Sequence, residues 1–255
     1  MITKDEEKGK IRISINLWKL IIYIIIIICI IGIIDWVICN KNNESISTNV
    51  KNENIESKML KIKDSTVETI NVNFNKLKEK NIDIKGWIKV NNTNINYPIV
   101  QARNNEYYLT HNLNNEYNSA GWIFADYRNN MQTLDKNTII YGHNRLNNTM
   151  FAQLEKTLEP SWYEKKENKY ITFNTEYKNY IGEIISIYKI KASDFIVQNY
   201  YEEEEFTEYI KNIKNKSVYN NFNTYVNSKD KIITLYTCDS TSEFRIILQA
   251  KLIEV

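Results

Sequence analysis

Three side chains equipped for acyl transfer are spread along this 255-residue chain: Cys238, His143 and Arg245. A free thiol, with a pKa of about 8.5, is only a few per cent thiolate at neutral pH, and a neighbouring imidazolium or guanidinium raises that fraction. The imidazole can then protonate a leaving amine, while the permanently charged guanidinium stabilises the oxyanion of an attacked carbonyl. Such chemistry yields a thioester, and the three residues alone do not decide whether water or an amine resolves it. The pool of candidates is small. Of three cysteines, Cys29 and Cys39 lie in or beside an apolar N-terminal run, which leaves Cys238 as the one thiol in the rest of the chain. His111, in EYYLTHNL, reads as a structural or exposed residue on a helical turn. Plain alternatives stand beside the catalytic reading: a distant Cys and His often coincide by chance, a lone Cys is commonly a core residue, and a lone Arg is usually a surface cation. Two His and one Cys without close spacing do not make a zinc site, and neither a phosphate-binding glycine loop nor a G-x-S-x-G elbow is present.

The positions of the three residues say how they are to be held. His143 follows the apolar run TIIYG, Cys238 ends IITLYT, and Arg245 opens the last apolar run seven residues beyond the thiol. A tight connection through DSTSE would return Arg245 beside Cys238. Strand ends on a rigid sheet hold side chains in fixed relation and leave them open to a substrate. From Gly86 onward eight such runs, GWIKV, YPIVQ, GWIFAD, NTIIYG, YITF, YIGEIISIYKI, KIITLYTC and EFRIILQAKLIEV, alternate with Asn-rich turns. They predict a mainly β domain, a barrel or closed sheet. Two helical insertions are expected, at Thr149 to Leu158 and at about Glu202 to Asn215, the second with an EEEE start that suits the positive end of a helix dipole. A further helix is expected to begin at the capping-box pair Ser65 and Glu68, with Val67, Ile70, Phe74 and Leu77 on one face. Residues 40–63 are polar and weakly patterned, so they read as a tether.

Ahead of the tether, Leu20 to Cys39 reads LIIYIIIIICIIGIIDWVIC, and twenty residues of helix span roughly 30 Å, the thickness of a bilayer core. Twelve Ile outweigh the single charge of Asp35. Lys4, Lys8, Lys10, Arg12 and Lys19 precede the run and Trp36 lies near its far end, which favours a cytoplasmic N-terminus and an exterior domain. A cleavable signal peptide would need a small-x-small site, which DWVICNKNNES lacks. The expected organisation is a cytoplasmic segment at 1–19, a single-pass anchor at 20–39, the tether at 40–63 and a domain at 64–255. With 33 Lys and Arg against 31 Asp and Glu and no long block of one sign, nothing favours nucleic acid.

TIIYGHN around His143, and TLYTC followed seven residues later by Arg245, together resemble the sortases, cell-surface transpeptidases of Gram-positive bacteria. NYPIVQ, EYYLTHNL leading into AGWIFADYRN, and NNTMFAQL are similar to class B members. The resemblance implies an eight-stranded sortase-like β-barrel, with Cys238 as nucleophile, His143 as general acid and Arg245 as stabiliser of oxyanion or substrate. It implies as partners secreted proteins with a C-terminal sorting motif, cut after Thr, and an amine of peptidoglycan as acceptor, with no metal or organic cofactor. It sets Tyr236, Thr237 and Asp239 on the substrate side. One departure is visible: the class often has Ser two residues before the Cys, where this chain has Tyr236. Class C members, which polymerise pilins, typically carry a lid and a second apolar span; the chain ends at KLIEV, so the class B role is expected over pilus assembly. A non-catalytic, membrane-anchored peptide-binding module is the reading from a different class.

Overall fold

The structure, a computed structural model, describes residues 17–63, 65–195, 197–237 and 243–255 in full, and the backbone of 2–4, 11–13 and 238. Two three-residue strands, β1 (Ile2–Lys4) and β2 (Ile11–Ile13), pair antiparallel. They precede α1 (Leu17–Asn54), whose apolar part has a mean hydropathy of 3.0, long and apolar enough to cross a membrane. The chain divides into two compact units, residues 1–41 and 42–255.

In the second unit the structure departs from the sequence reading at 40–72. The expected tether is helical as far as Asn54 and continues as strand β3 (Ile55–Ile62), which pairs residue for residue with β4 (Ser65–Val72). Ser65 therefore starts no helix. Thr66, Val67, Thr69, Ile70 and Val72 are β-branched and lose less in a strand than in a helix. Val67 packs against Tyr170 and Ile181, whereas Ile70 joins the main core, so the spacing of three reflects two faces that are both covered. The helix begins later, as α2 (Phe74–Lys80), where the Asn73 side chain accepts from the Lys76 N–H at 3.1 Å. The stretch 42–54 packs too: Val50 and Asn43 are buried, and Asn43 Nδ2 donates to the Gly121 carbonyl at 2.8 Å.

The eight expected strands all form: β5 (Ile84–Val90), β6 (Asn96–Val100), β7 (Phe124–Ala125), β8 (Asn137–Tyr141), β9 (Tyr170–Thr175), β10 (Asn179–Lys191), β11 (Ile232–Cys238) and β12 (Phe244–Glu254). They close into one barrel in the order β10-β12-β11-β8-β7-β6-β5-β9. Its interior is filled by side chains that alternate along the strands, among them Ile140, Ile233, Leu235, Ile246 and Leu248, each fully buried. The first insertion is a 3-10 turn, Ala152–Leu158, followed by the short α3 (Pro160–Tyr163). Positive φ at Asn148 (60°) and Met150 (55°) delays its start, although Phe151 and Leu154 are buried as expected. The second insertion is α4 (Glu203–Lys216), with reciprocal capping between Glu202 and Glu205. Phe206, Ile210 and Ile213 cover a patch of barrel that includes Ile185, Ile232 and Ile247.

A chain that starts at residue 64 should therefore be less stable than one that starts at 42, because it loses Val50 from the core and the whole partner of β4. We expect its thermal midpoint to be lower by roughly 10 °C, from several kcal/mol of lost burial and pairing. Equal midpoints in differential scanning calorimetry would restore 42–63 to the status of a tether.

Candidate active site

Pairing direction decides what meets at the barrel rim. β8 and β11 run parallel, with Tyr141 opposite Tyr236, so both strands finish at the same end. The Gly142 N–H donates to the Tyr236 carbonyl at 3.2 Å and carries the ladder one residue further. His143 follows two residues past the end of β8, at the end of the barrel where β11 finishes with Cys238. On the other side β12 runs antiparallel to β11, and Arg245 is the register partner of Cys238. The sequence-expected trio thus occupies three adjacent strand ends, with residue 238 in the middle. Asp239 and the rest of the connection to 242 lie outside the described residues, as does the side chain of Cys238.

A cleft of about 300 Å³ opens at this rim, bordered by Leu109, Tyr141, His143, Tyr236 and Thr237. A larger and more polar cleft, about 440 Å³, lies between helix residues 43–51 and the loops at 93–97 and 148–150, and contains none of the trio. Of the expected substrate-side residues, Tyr236 is half-buried on the outer face of β11. Thr237 is turned inward and buried, and its Oγ1 has no hydrogen-bond partner among the described residues.

The surroundings of His143 fix its chemistry. Nε2 lies 2.9 Å from the Leu109 carbonyl oxygen, which can only accept, so Nε2 carries a proton and Nδ1 is the atom that titrates. Burial pushes the imidazole pKa below its ordinary 6.5; the Leu109 carbonyl opposes this and the Arg145 charge adds to it. The neutral ring is accordingly the major form at neutral pH. Gly121 makes room for this ring. Its φ is +60°, and a Cβ there would sit 2.6 and 2.7 Å from the carbonyl oxygens of Tyr108 and Leu109 and 2.9 Å from His143 Cδ2. Gly142 is constrained by space alone, since a Cβ would meet the Phe151 ring at 2.7 Å. His111 stays away from this chemistry, stacked at 4.0 Å on Tyr107 with Nδ1 2.8 Å from the Tyr107 carbonyl oxygen.

The sequence reading missed the group behind Tyr141. Asp126, fully buried, accepts from Arg128 Nε (2.8 Å), Arg128 Nη2 (2.7 Å), Asn105 Nδ2 (3.0 Å) and Tyr141 Oη (2.9 Å). Burial alone would raise its pKa, but these hydrogen bonds, led by Arg128, hold it at about 2. Burial and the Asp126 charge together push the Tyr141 phenol well above its usual 10. Alternation along TIIYGH, which sets Tyr141 on the same face as His143, was the signal that could have found Tyr141; nothing local marks Leu109, whose contribution is a backbone carbonyl.

The fold is a closed eight-stranded barrel with Cys, His and Arg at neighbouring strand ends, and comparison with known proteins gives it a family. The Sortase domain model matches residues 88–253. Sortase B of Listeria monocytogenes is 36% identical over 222 residues, covering 84% of this chain and 86% of its own length. A Bacillus anthracis protein described as similar to sortase B superposes with a TM-score of 0.73 at 32% identity, over 84% of this chain and 97% of its own. Staphylococcus aureus sortase B, solved as a substrate complex, gives 0.67 at 38% identity, over 71% and 85%. The chain belongs to the sortase family.

Two outcomes follow for His143. Its imidazole titration, followed by NMR, should have a midpoint below 6.5, so its contribution to stability is complete above pH 6.5 and is lost as pH falls through the folded-state value. A midpoint at or above 6.5 would contradict the burial argument. Gly121→Ala should destabilise the protein by roughly 1–3 kcal/mol in denaturant unfolding, from left-handed backbone and carbonyl overlap, and should shift the His143 resonances.

Proposed function

The protein is a sortase transpeptidase, and we propose that it works as a class B member in which Cys238 is the nucleophile, His143 the general acid and Arg245 the oxyanion or substrate stabiliser. The observation that carries this reading is the strand register that brings residues 143, 238 and 245 to three neighbouring ends of one barrel rim, beside an open cleft.

In the first half-reaction the Cys238 thiolate adds to the carbonyl carbon of a Thr in the sorting motif of a secreted protein. Arg245 faces the charge that develops on the carbonyl oxygen. As the peptide C–N bond breaks, the departing amine takes a proton from Nδ1 of His143, and the C–S bond of a thioester remains. In the second half-reaction an amine of peptidoglycan adds to the thioester, His143 takes up its proton, and the thiolate leaves as the new amide forms. Atoms and charge balance without metal or organic cofactor. The neutral majority form of His143 suits the second half, and the protonated minority serves the first. The apolar part of α1 serves as a single-pass anchor. The basic residues before it and Trp36 near its far end favour a cytoplasmic N-terminus and an exterior barrel. Staphylococcus aureus sortase B has been solved as a substrate complex, which supports substrate binding by this chain as well.

Full-length protein in detergent micelles, given a fluorogenic peptide of the form (N/S/P)P-x-T-(G/N), should cleave it after Thr, and Cys238→Ala should lower the rate by roughly a thousandfold or more. Mass spectrometry of a denatured reaction should find the acyl group on residue 238. Addition of a glycine-peptide amine should divert product from acid to amide. Equal turnover by Cys238→Ala would remove the nucleophile, and acid alone at every amine concentration would make the protein a hydrolase.

A further inference from the structure

Tyr236 stands where the class often has Ser, and its phenol is engaged by the guanidinium of Arg245. Arg245 Nε donates to Tyr236 Oη at 2.6 Å, Nη1 donates to the Phe244 carbonyl at 3.0 Å, and Cζ lies 5.8 Å from the Tyr236 ring centroid. Two hydrogen bonds on different edges of a planar cation fix both its position and its rotation. The tyrosine itself is held firmly. Its ring meets Tyr141 edge-on at 5.2 Å and 79°, and Phe195 packs against it at 4.8 Å. Tyr141 in turn donates from Oη to Asp126 at 2.9 Å. A contiguous series therefore runs from a buried, ionised carboxylate through two tyrosines to the arginine, across β8, β11 and the start of β12.

We propose that Tyr236 is a positioning residue for Arg245: its hydroxyl oxygen sets the position and rotation of the guanidinium beside residue 238, where the oxyanion develops. A serine at position 236 could not do this by the same contact. The Oη atom is carried about 6.5 Å from Cα by the phenol ring, whereas a serine oxygen is held within about 2.5 Å. The inference rests on the proposed role of Arg245 and adds to it a dependence that this chain builds with its own residue.

The test uses full-length protein in detergent micelles and the variants Tyr236→Phe, Arg245→Lys and the double variant. Tyr236→Phe keeps the ring and its packing and removes only the acceptor oxygen. It should lower kcat by roughly tenfold with KM changed less than twofold and the thermal midpoint unaltered. In the Arg245→Lys background, which lacks the Nε donor, the same change should alter kcat less than twofold. A direct readout accompanies this: the Arg245 Nε–H resonance, identified by its loss in Arg245→Lys, should exchange with solvent at least tenfold faster in Tyr236→Phe. Equal loss of kcat in both backgrounds would make Tyr236 a structural support only, and a raised KM at constant kcat would make it a substrate contact; either overturns the proposal, as does unchanged Nε–H exchange. If wild-type protein shows no turnover at all, the transpeptidase reading fails, while the exchange measurement still decides whether Tyr236 holds Arg245.

Discussion

A parallel pair of strands cannot be joined by a tight turn, and the pairing of β8 with β11 is the constraint from which the site follows. Between them the chain travels through residues 142–231, building β9, β10 and α4 on the way, before β11 returns beside β8 in the same direction. That detour separates His143 from Cys238 in sequence and returns them to the same end of the barrel. The register is held from inside the barrel. Ile140, Leu235 and Ile246 point into the core, so Tyr141, Tyr236 and Arg245 take the outer face. A one-residue slip of β11 would exchange its faces, burying Tyr236 and expelling Leu235, and several kcal/mol of buried apolar surface oppose it.

Support for the rim also comes from outside the barrel. The helical residues 42–54 reach the loop before β7 through Asn43, which donates to the Gly121 carbonyl and accepts from Asn118 Nδ2 at 3.0 Å. Gly121 is the residue against which the His143 ring is seated. The segment that follows the apolar run is thus two contacts away from the imidazole, and its packing contributes to holding the 108–121 loop whose Leu109 carbonyl fixes the histidine tautomer.

The barrel was legible because each of its strands is a short β-branched or aromatic run closed off by Asn-rich turns, a pattern that needs no tertiary information. Cys238 and His143 stood out as candidates for a different reason, the scarcity of Cys and His outside the apolar run. The region 40–72 was misread because its elements are polar on the faces they leave to solvent. The β3–β4 hairpin has Glu56, Lys58, Lys61 and Glu68 among its β-branched residues, and its few apolar contacts go to two different clusters, so neither a helical nor a strict alternating period emerges. At 149–158 the period was read correctly and the geometry was not, since a 3-10 turn and an α-helix both bring residues three apart together. What supports the site was mostly invisible: the Leu109 carbonyl has no side-chain signature, and the Asp126 hydrogen bonds join three separate parts of the chain, the loop after β6, the loop after β7 and β8.

The electrostatics of the rim give Asp126 and His143 different tasks. Asp126 looks like the carboxylate that often stands behind a catalytic histidine, but its partners are Arg128, Asn105 and Tyr141, and both of its oxygens are saturated. With its pKa at about 2 it neither gives nor takes a proton near neutrality; it orients Tyr141. His143 is backed instead by a neutral carbonyl, which fixes the tautomer without the full negative charge that would stabilise an imidazolium. Burial and the Arg145 charge then keep the ring mainly neutral. At neutral pH the majority form of the resting site therefore carries no imidazolium charge. The guanidinium of Arg245, held by Tyr236 Oη and the Phe244 carbonyl on the strand that pairs with residue 238, is by contrast a positive charge that does not depend on pH near neutrality.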